Sequence, residues 1–209
     1  GGRGVEVWGG GDAVCGGDMG RSWGGYRGPK DSWWLVDPRR EILIGSILVQ
    51  NTNGRNGERS LARIRSAGVD DIARFAAMPA PELMELIRPS GFQIAKAATI
   101  ASVAQCALAA AGCDTPPDGP GPRIDPSLVD GVDTTRLRAG LRSLRGVGPE
   151  TADVMMLYVF DRPTFVADTY ARRLFGRLGG VVPKTYDAFR DTMMGTVTMS
   201  VPEWQEFHC

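Results

Sequence analysis

Apolar residues recur at three- and four-residue steps through much of the chain, the spacing of one helix face. Leu137, Leu141 and Leu144 form one such stripe, and Ala152, Met155, Met156, Val159 and Phe160 form another. Between them Gly146-Val147-Gly148 breaks the pattern. Two glycines supply the left-handed backbone freedom of a tight turn, and Pro149 suits the first position of a new helix, where its missing N–H costs nothing. The stretch therefore reads as helix, glycine hairpin, helix. Arg162-Pro163 stops the second helix, and after a short extended link Asp168 is placed to cap a basic helix carrying Arg172, Arg173 and Arg177.

The same spacing predicts helices over residues 41–50, 69–75, 80–87, 94–111 and 185–194, one ending near Ile64, and a start of another at Pro202. Residues 88–92 read as a turn, and 112–133, rich in Pro, Gly and Asp, as a connecting loop. β-Branched residues are scattered, so the expected class is all-α. Of the 28 glycines, 12 fall in residues 1–31, which have little periodicity and are expected to form a poorly ordered arm, or else an irregular one packed through Trp8, Trp23 and Tyr26.

Composition narrows the function less than the pattern does. With 209 residues and 43% apolar content the chain suits one or two domains with an ordinary core. Net charge is zero, which gives no global argument for nucleic acid. Between Asp133 and Lys184, however, nine Lys/Arg face five Asp/Glu; a solvated helix face explains this surplus as easily as a phosphate partner does. Cys15, Cys106, Cys113 and Cys209 show no metal-ligand spacing, so reduced thiols are expected. No apolar run reaches the length of a membrane span, and a cytoplasmic monomer is the expectation.

The hairpin carries the chemistry. Free N–H groups at the start of its second helix point outward beside the positive end of the dipole and can hold a phosphate. An ordinary helix–helix turn is the alternative reading of the glycines alone, as a simple cap is of Asp168. Gly148 and Asp168 are 20 residues apart, about one helix and a link, which would return the carboxylate toward the hairpin.

Leu144-Arg145-Gly146-Val147-Gly148 followed by Val166-Ala167-Asp168-Thr169 resembles the helix–hairpin–helix DNA glycosylases of the endonuclease III superfamily. Arg88-Pro89-Ser90-Gly91-Phe92 and Glu150-Thr151-Ala152-Asp153 are similar to blocks of the 3-methyladenine DNA glycosylase III branch. The resemblance runs from about Trp33 to the end of the chain. It implies a two-lobed helical bundle with a DNA cleft between the lobes. Residues 32–54 with 134–209 would build one lobe, and 55–133 the middle lobe and connecting loop.

The resemblance also implies roles. Asp168 would stabilise the positive charge that develops on deoxyribose during N-glycosidic cleavage, and orient or deprotonate the attacking water. Gly146, Val147 and Gly148 would hold a DNA phosphate, and Arg172 follows on the basic helix. Trp33 and Trp34 would line the base pocket, where a flat ring attracts a cationic alkylated purine; core packing is the alternative for either one. Gln50 would fill the gap left by a flipped nucleotide, or Gln50-Asn51-Thr52 would simply end the helix. Phe92 would wedge against the opposite strand, with packing under its loop as the alternative. A monovalent cation at the hairpin carbonyls is a candidate bound ion.

Three departures accompany these matches. Bifunctional members carry a lysine two residues after the second hairpin glycine, which forms a Schiff base and nicks the strand. Here that position is Glu150, and a carboxylate cannot form an imine, so no β-lyase activity is expected. Relatives carry an aromatic where this chain has Gly54, and Gly57 adds a second glycine to a predicted helix. The closely spaced cysteines of an iron–sulfur cluster are not visible; either the cluster is absent or the sequence ends before it. The expected function is a monofunctional glycosylase that flips a damaged base, an alkylated purine, out of double-stranded DNA for base excision repair. A non-catalytic helix–hairpin–helix module and an endonuclease III-type enzyme for oxidised pyrimidines stand as alternatives.

Overall fold

A computed structural model describes residues 38–69, 71–113 and 124–208. The glycine-rich arm, Trp33 and Trp34 lie outside these residues. Among the described residues all regular structure is helical: α1 (Pro38–Leu48), α2 (Gly54–Ser66), α3 (Ile72–Ala77), α4 (Ala80–Leu86), α5 (Gln93–Ala110), α6 (Thr134–Ser143), α7 (Pro149–Tyr158), α8 (Thr169–Arg177), α9 (Tyr186–Thr196) and α10 (Val201–His208). Short 3-10 turns cover Arg88–Ser90 and Pro126–Val129. None of the helices is long and apolar enough to cross a membrane.

Side-chain caps fix five of the ten described helix starts. Asn53, Asp71, Asp133, Asp168 and Thr185 each accept a backbone N–H of the first turn of the helix that follows, satisfying donors that have no partner within the helix. These caps place α3 and α9 one to three residues from the positions predicted by periodicity.

Two apolar cores share one helix. The larger joins α1 to α7 through Leu43, Ile47, Phe75, Ile100, Leu141 and Met155. The smaller gathers Phe165, Phe189 and Trp204 around Val154 and Leu157. The rings of Phe165 and Phe189 meet edge-on at 5.0 Å, an arrangement that adds about 0.5–1.5 kcal/mol beyond area burial. Helix α7 supplies Ala152, Met155 and Met156 to one core and Val154 and Leu157 to the other. The sequence predicts a single apolar face here; instead every residue from Thr151 to Leu157 is buried. A helix buried on all sides is the axis of the fold.

Gly57 also differs from expectation. It lies in the first turn of α2, where a Cβ would come within 2.7 Å of Val49 Cγ1. Its role is to let α2 press against the end of α1, an approach that any side chain would block.

Candidate active site

The hairpin joins α6 to α7 and its two glycines do different work. Gly146 has φ +78°, and a Cβ there would collide with the Thr99 hydroxyl on α5. Gly148 is in extended backbone, not the left-handed region the sequence reading assigns to both glycines, and it N-caps α7 without a side-chain bond. A Cβ on Gly148 would meet nothing within 4 Å. Gly146 is thus glycine for the fold, whereas the space beside Gly148 opens outward over the first N–H groups of α7. Val147 is buried between them and anchors the turn.

Gln50 lies beyond the last residue of α1 and is half-buried. Its Nε2 donates to Gly146 O at 3.2 Å and to Thr151 Oγ1 at 2.9 Å, which ties the α1 turn to the hairpin. The next residue, Asn51, takes φ +53°, a conformation asparagine tolerates better than most residues. Phe92 sits at φ +49° immediately before α5 and is 66% exposed. Packing beneath its loop is therefore excluded; Phe92 and the neighbouring Ile94 present apolar surface to solvent.

Asp168 caps α8: its Oδ1 accepts the Ala171 N–H at 2.7 Å. Its Oδ2 accepts no hydrogen bond among the described residues. The carboxylate is half-buried, and its negative charge reaches two groups on other helices. Glu150, in the first turn of α7, is exposed as a residue, yet its carboxyl is crowded enough that desolvation raises its pKa, and the field of Asp168 raises it further. At the end of α10, desolvation lowers the pKa of His208 and the Asp168 charge opposes that fall. His208 Nδ1 lies 2.8 Å from the Tyr158 hydroxyl. The charge of Asp168, at the N-cap of α8, thus acts on Glu150 of α7 and on His208 of α10.

Beside these groups lies a charged network that hydrophobic patterning could not reveal. Asp153 is fully buried and receives both Arg138 Nε at 2.8 Å and Arg138 Nη2 at 2.9 Å. Arg190 adds an ion pair at 3.3 Å, and the Thr164 hydroxyl donates to the same carboxylate at 3.2 Å. Tyr186 completes the link: its hydroxyl accepts the N–H of Ala167, the residue before Asp168, at 3.2 Å. Burial, followed by the charge of Asp153, pushes the Tyr186 phenol up, so it stays protonated. The network holds the segment that delivers Asp168. Its only trace in the sequence is an aspartate amid the apolar residues of α7.

Arg172 turns inward, donating to Pro183 O at 2.7 Å and stacking over Phe189 at 5.4 Å. It braces the small core, while Arg173 lies over the exposed Tyr170 ring. Among the described residues no group of three His, Cys, Asp or Glu is arranged to hold a metal ion.

Residues 44–198 match the family described as HhH-GPD superfamily base excision DNA repair protein. The chain is 32% identical over 85% of its length to a Methanocaldococcus jannaschii protein whose name assigns it to the DNA repair glycosylases, and spans 76% of that protein. It is 29% identical over 72% of its length to endonuclease III of Thermotoga maritima, of which it spans 61%. In fold it is similar to H. pylori 3-methyladenine DNA glycosylase bound to 1,N6-ethenoadenine, with TM-score 0.64 and 23% identity, over 90% of this chain and 85% of that one. An endonuclease III in a non-covalent complex with DNA superposes with TM-score 0.61 at 23% identity, over 81% of this chain and 70% of that one.

Proposed function

Because this chain belongs to the HhH-GPD superfamily of base excision DNA repair proteins, we propose that it is a monofunctional glycosylase acting on an alkylated purine in duplex DNA. The observation that carries this reading is the pairing of Asp168 with Glu150. The carboxylate expected to stabilise the sugar cation stands beside the position where bifunctional relatives hold their lysine, and that position carries a second carboxyl. Glu150 has no amine to attack the sugar, so water is the nucleophile and the product is an intact strand with an abasic site.

The remaining geometry fits this chemistry. The open face of Gly148 and the N-terminus of α7 receive a phosphate. The exposed Phe92 would wedge the opposite strand, and Gln50, whose amide the hairpin holds in the free protein, would leave those bonds to fill the vacated stack. As C1′ gains positive charge, Asp168 Oδ2, without a hydrogen bond among the described residues, stabilises it and orients water, while Oδ1 keeps the residue in place through the Ala171 N–H.

A monovalent cation fits the hairpin. Gly146 O accepts one bond from Gln50, and Leu144 O one from Val147 N–H; each keeps a lone pair for an ion. Such a cation would supply charge for phosphate binding.

The test is single-turnover base release from duplex DNA containing 3-methyladenine, with Asp168→Asn as control. Release that is lost in the variant, with strand cleavage only after alkali, is the expected result. Nicking without alkali would overturn the monofunctional reading. Duplex binding with no release of this or other lesions would leave a DNA-binding module.

A further inference from the structure

Lys96, in the first turn of α5, is 3% exposed. Its Nζ donates to Leu48 O at 2.7 Å and to Ser90 O at 2.7 Å. No ion pair among the described residues includes it, and its desolvation is uncompensated by any carboxylate. Burying an ammonium group without a counter-ion is costly, so its two partners identify what the position does.

Both partners end a helical segment. Leu48 is the last residue of α1, and Ser90 the last of the 3-10 turn. Carbonyls at such ends lack a helical partner and carry the negative end of the dipole; one cation satisfies both. Gln50 stands two residues after the first carbonyl, and Phe92 two residues after the second. Each segment then passes through a left-handed residue, Asn51 at φ +53° and Phe92 itself at φ +49°. Backbone in this region persists when its surroundings over-determine it.

We propose that Lys96 is a positioning residue that fixes the separation between the Gln50 turn and the Phe92 loop, so that plug and wedge enter a duplex together. The proposal rests on the reading that these two residues face DNA. A shift of an ångström in either tip would spoil the concerted opening of the stack. Replacing the ammonium with an apolar group leaves two buried carbonyls without donors, and both loops are freed at once.

The experiment uses the full chain with Lys96→Met, which keeps the length of the stem. Amide hydrogen exchange is measured over residues 49–52 and 90–93, with α7 as reference. The expected result is a joint loss of protection in both segments while α7 is unchanged. Single-turnover base release should fall about 10- to 100-fold, the usual effect of a slightly misplaced group, with duplex Kd nearly unchanged. Loss in one segment alone, in neither, or equally through α7 would overturn the clamp. Should Lys96→Met fail to fold, Lys96→Gln, which retains a shorter donor, is read the same way. If the wild-type protein releases no base, the functional reading fails while the exchange measurement still decides the role of Lys96.

Discussion

Glu150 lies within the field of Asp168, and that field combines with desolvation to raise the pKa of its carboxyl. The start of α7 and the N-cap of α8 therefore carry two carboxyl groups that act on one another. The pairing works against folding, since each carboxylate disfavours the charge of the other.

The consequence is measurable in stability. A carboxyl whose folded pKa is raised contributes stability below its ordinary value of 4.5, and that contribution is lost as pH rises through the folded value. Glu150→Gln imitates the protonated form at every pH. It should raise Tm at pH 7 and leave it unchanged near pH 4, as read by thermal melts at the two pH values.

The two hairpin glycines should separate fold from binding. Gly146→Ala places a Cβ against Thr99 at positive φ, and a loss of about 1–3 kcal/mol is expected in denaturant titration. Gly148→Ala meets nothing within 4 Å, so stability should hold within about 0.5 kcal/mol. Its effect should appear instead as weaker duplex binding, because the methyl group stands at the proposed phosphate site. Equal stability losses at both positions would contradict the division.

Asp153 bears on the integrity of the whole site. Asp153→Asn keeps the shape and removes the charge that Arg138 and Arg190 share. Breaking a buried pair in this way costs about 3–5 kcal/mol, a loss that urea titration would detect as a lower midpoint. Base release should decline as well, since the Tyr186 link to Ala167 depends on the same carboxylate.

Lys96 gives the opposite pH signature to Glu150. Burial lowers its pKa from 10.5 to about 8. Between these values the unfolded chain binds more protons than the folded protein, so stability rises with pH across that window. Melts from pH 8 to pH 10 should show this rise in the wild type relative to Lys96→Met.

What the sequence revealed depended on how local each signal was. Pro149 after two glycines and Asp168 before a basic helix act through their immediate neighbours, and both stand where the pattern predicts. Gly57 reads as a flaw in a helix because the reason for it, Val49, belongs to another element. Lys96 reads as one polar residue on an Ala-rich helix, since its partners are backbone carbonyls 48 and 6 residues away. The Asp153 network joins α6, α7 and α9 through charges that periodicity counts as surface. Phe92 supports two readings in the sequence, and only its exposure in the fold separates them.

The shared position of α7 carries a consequence for how the molecule loses its structure. Val154 and Leu157 belong to one core, and Met155 and Met156, their immediate neighbours, to the other. Neither core can melt while the other keeps α7 wound. The hairpin end of that helix and the segment carrying Asp168 are therefore lost in the same cooperative event, so a partly denatured population contains no molecules that keep one of them and lack the other.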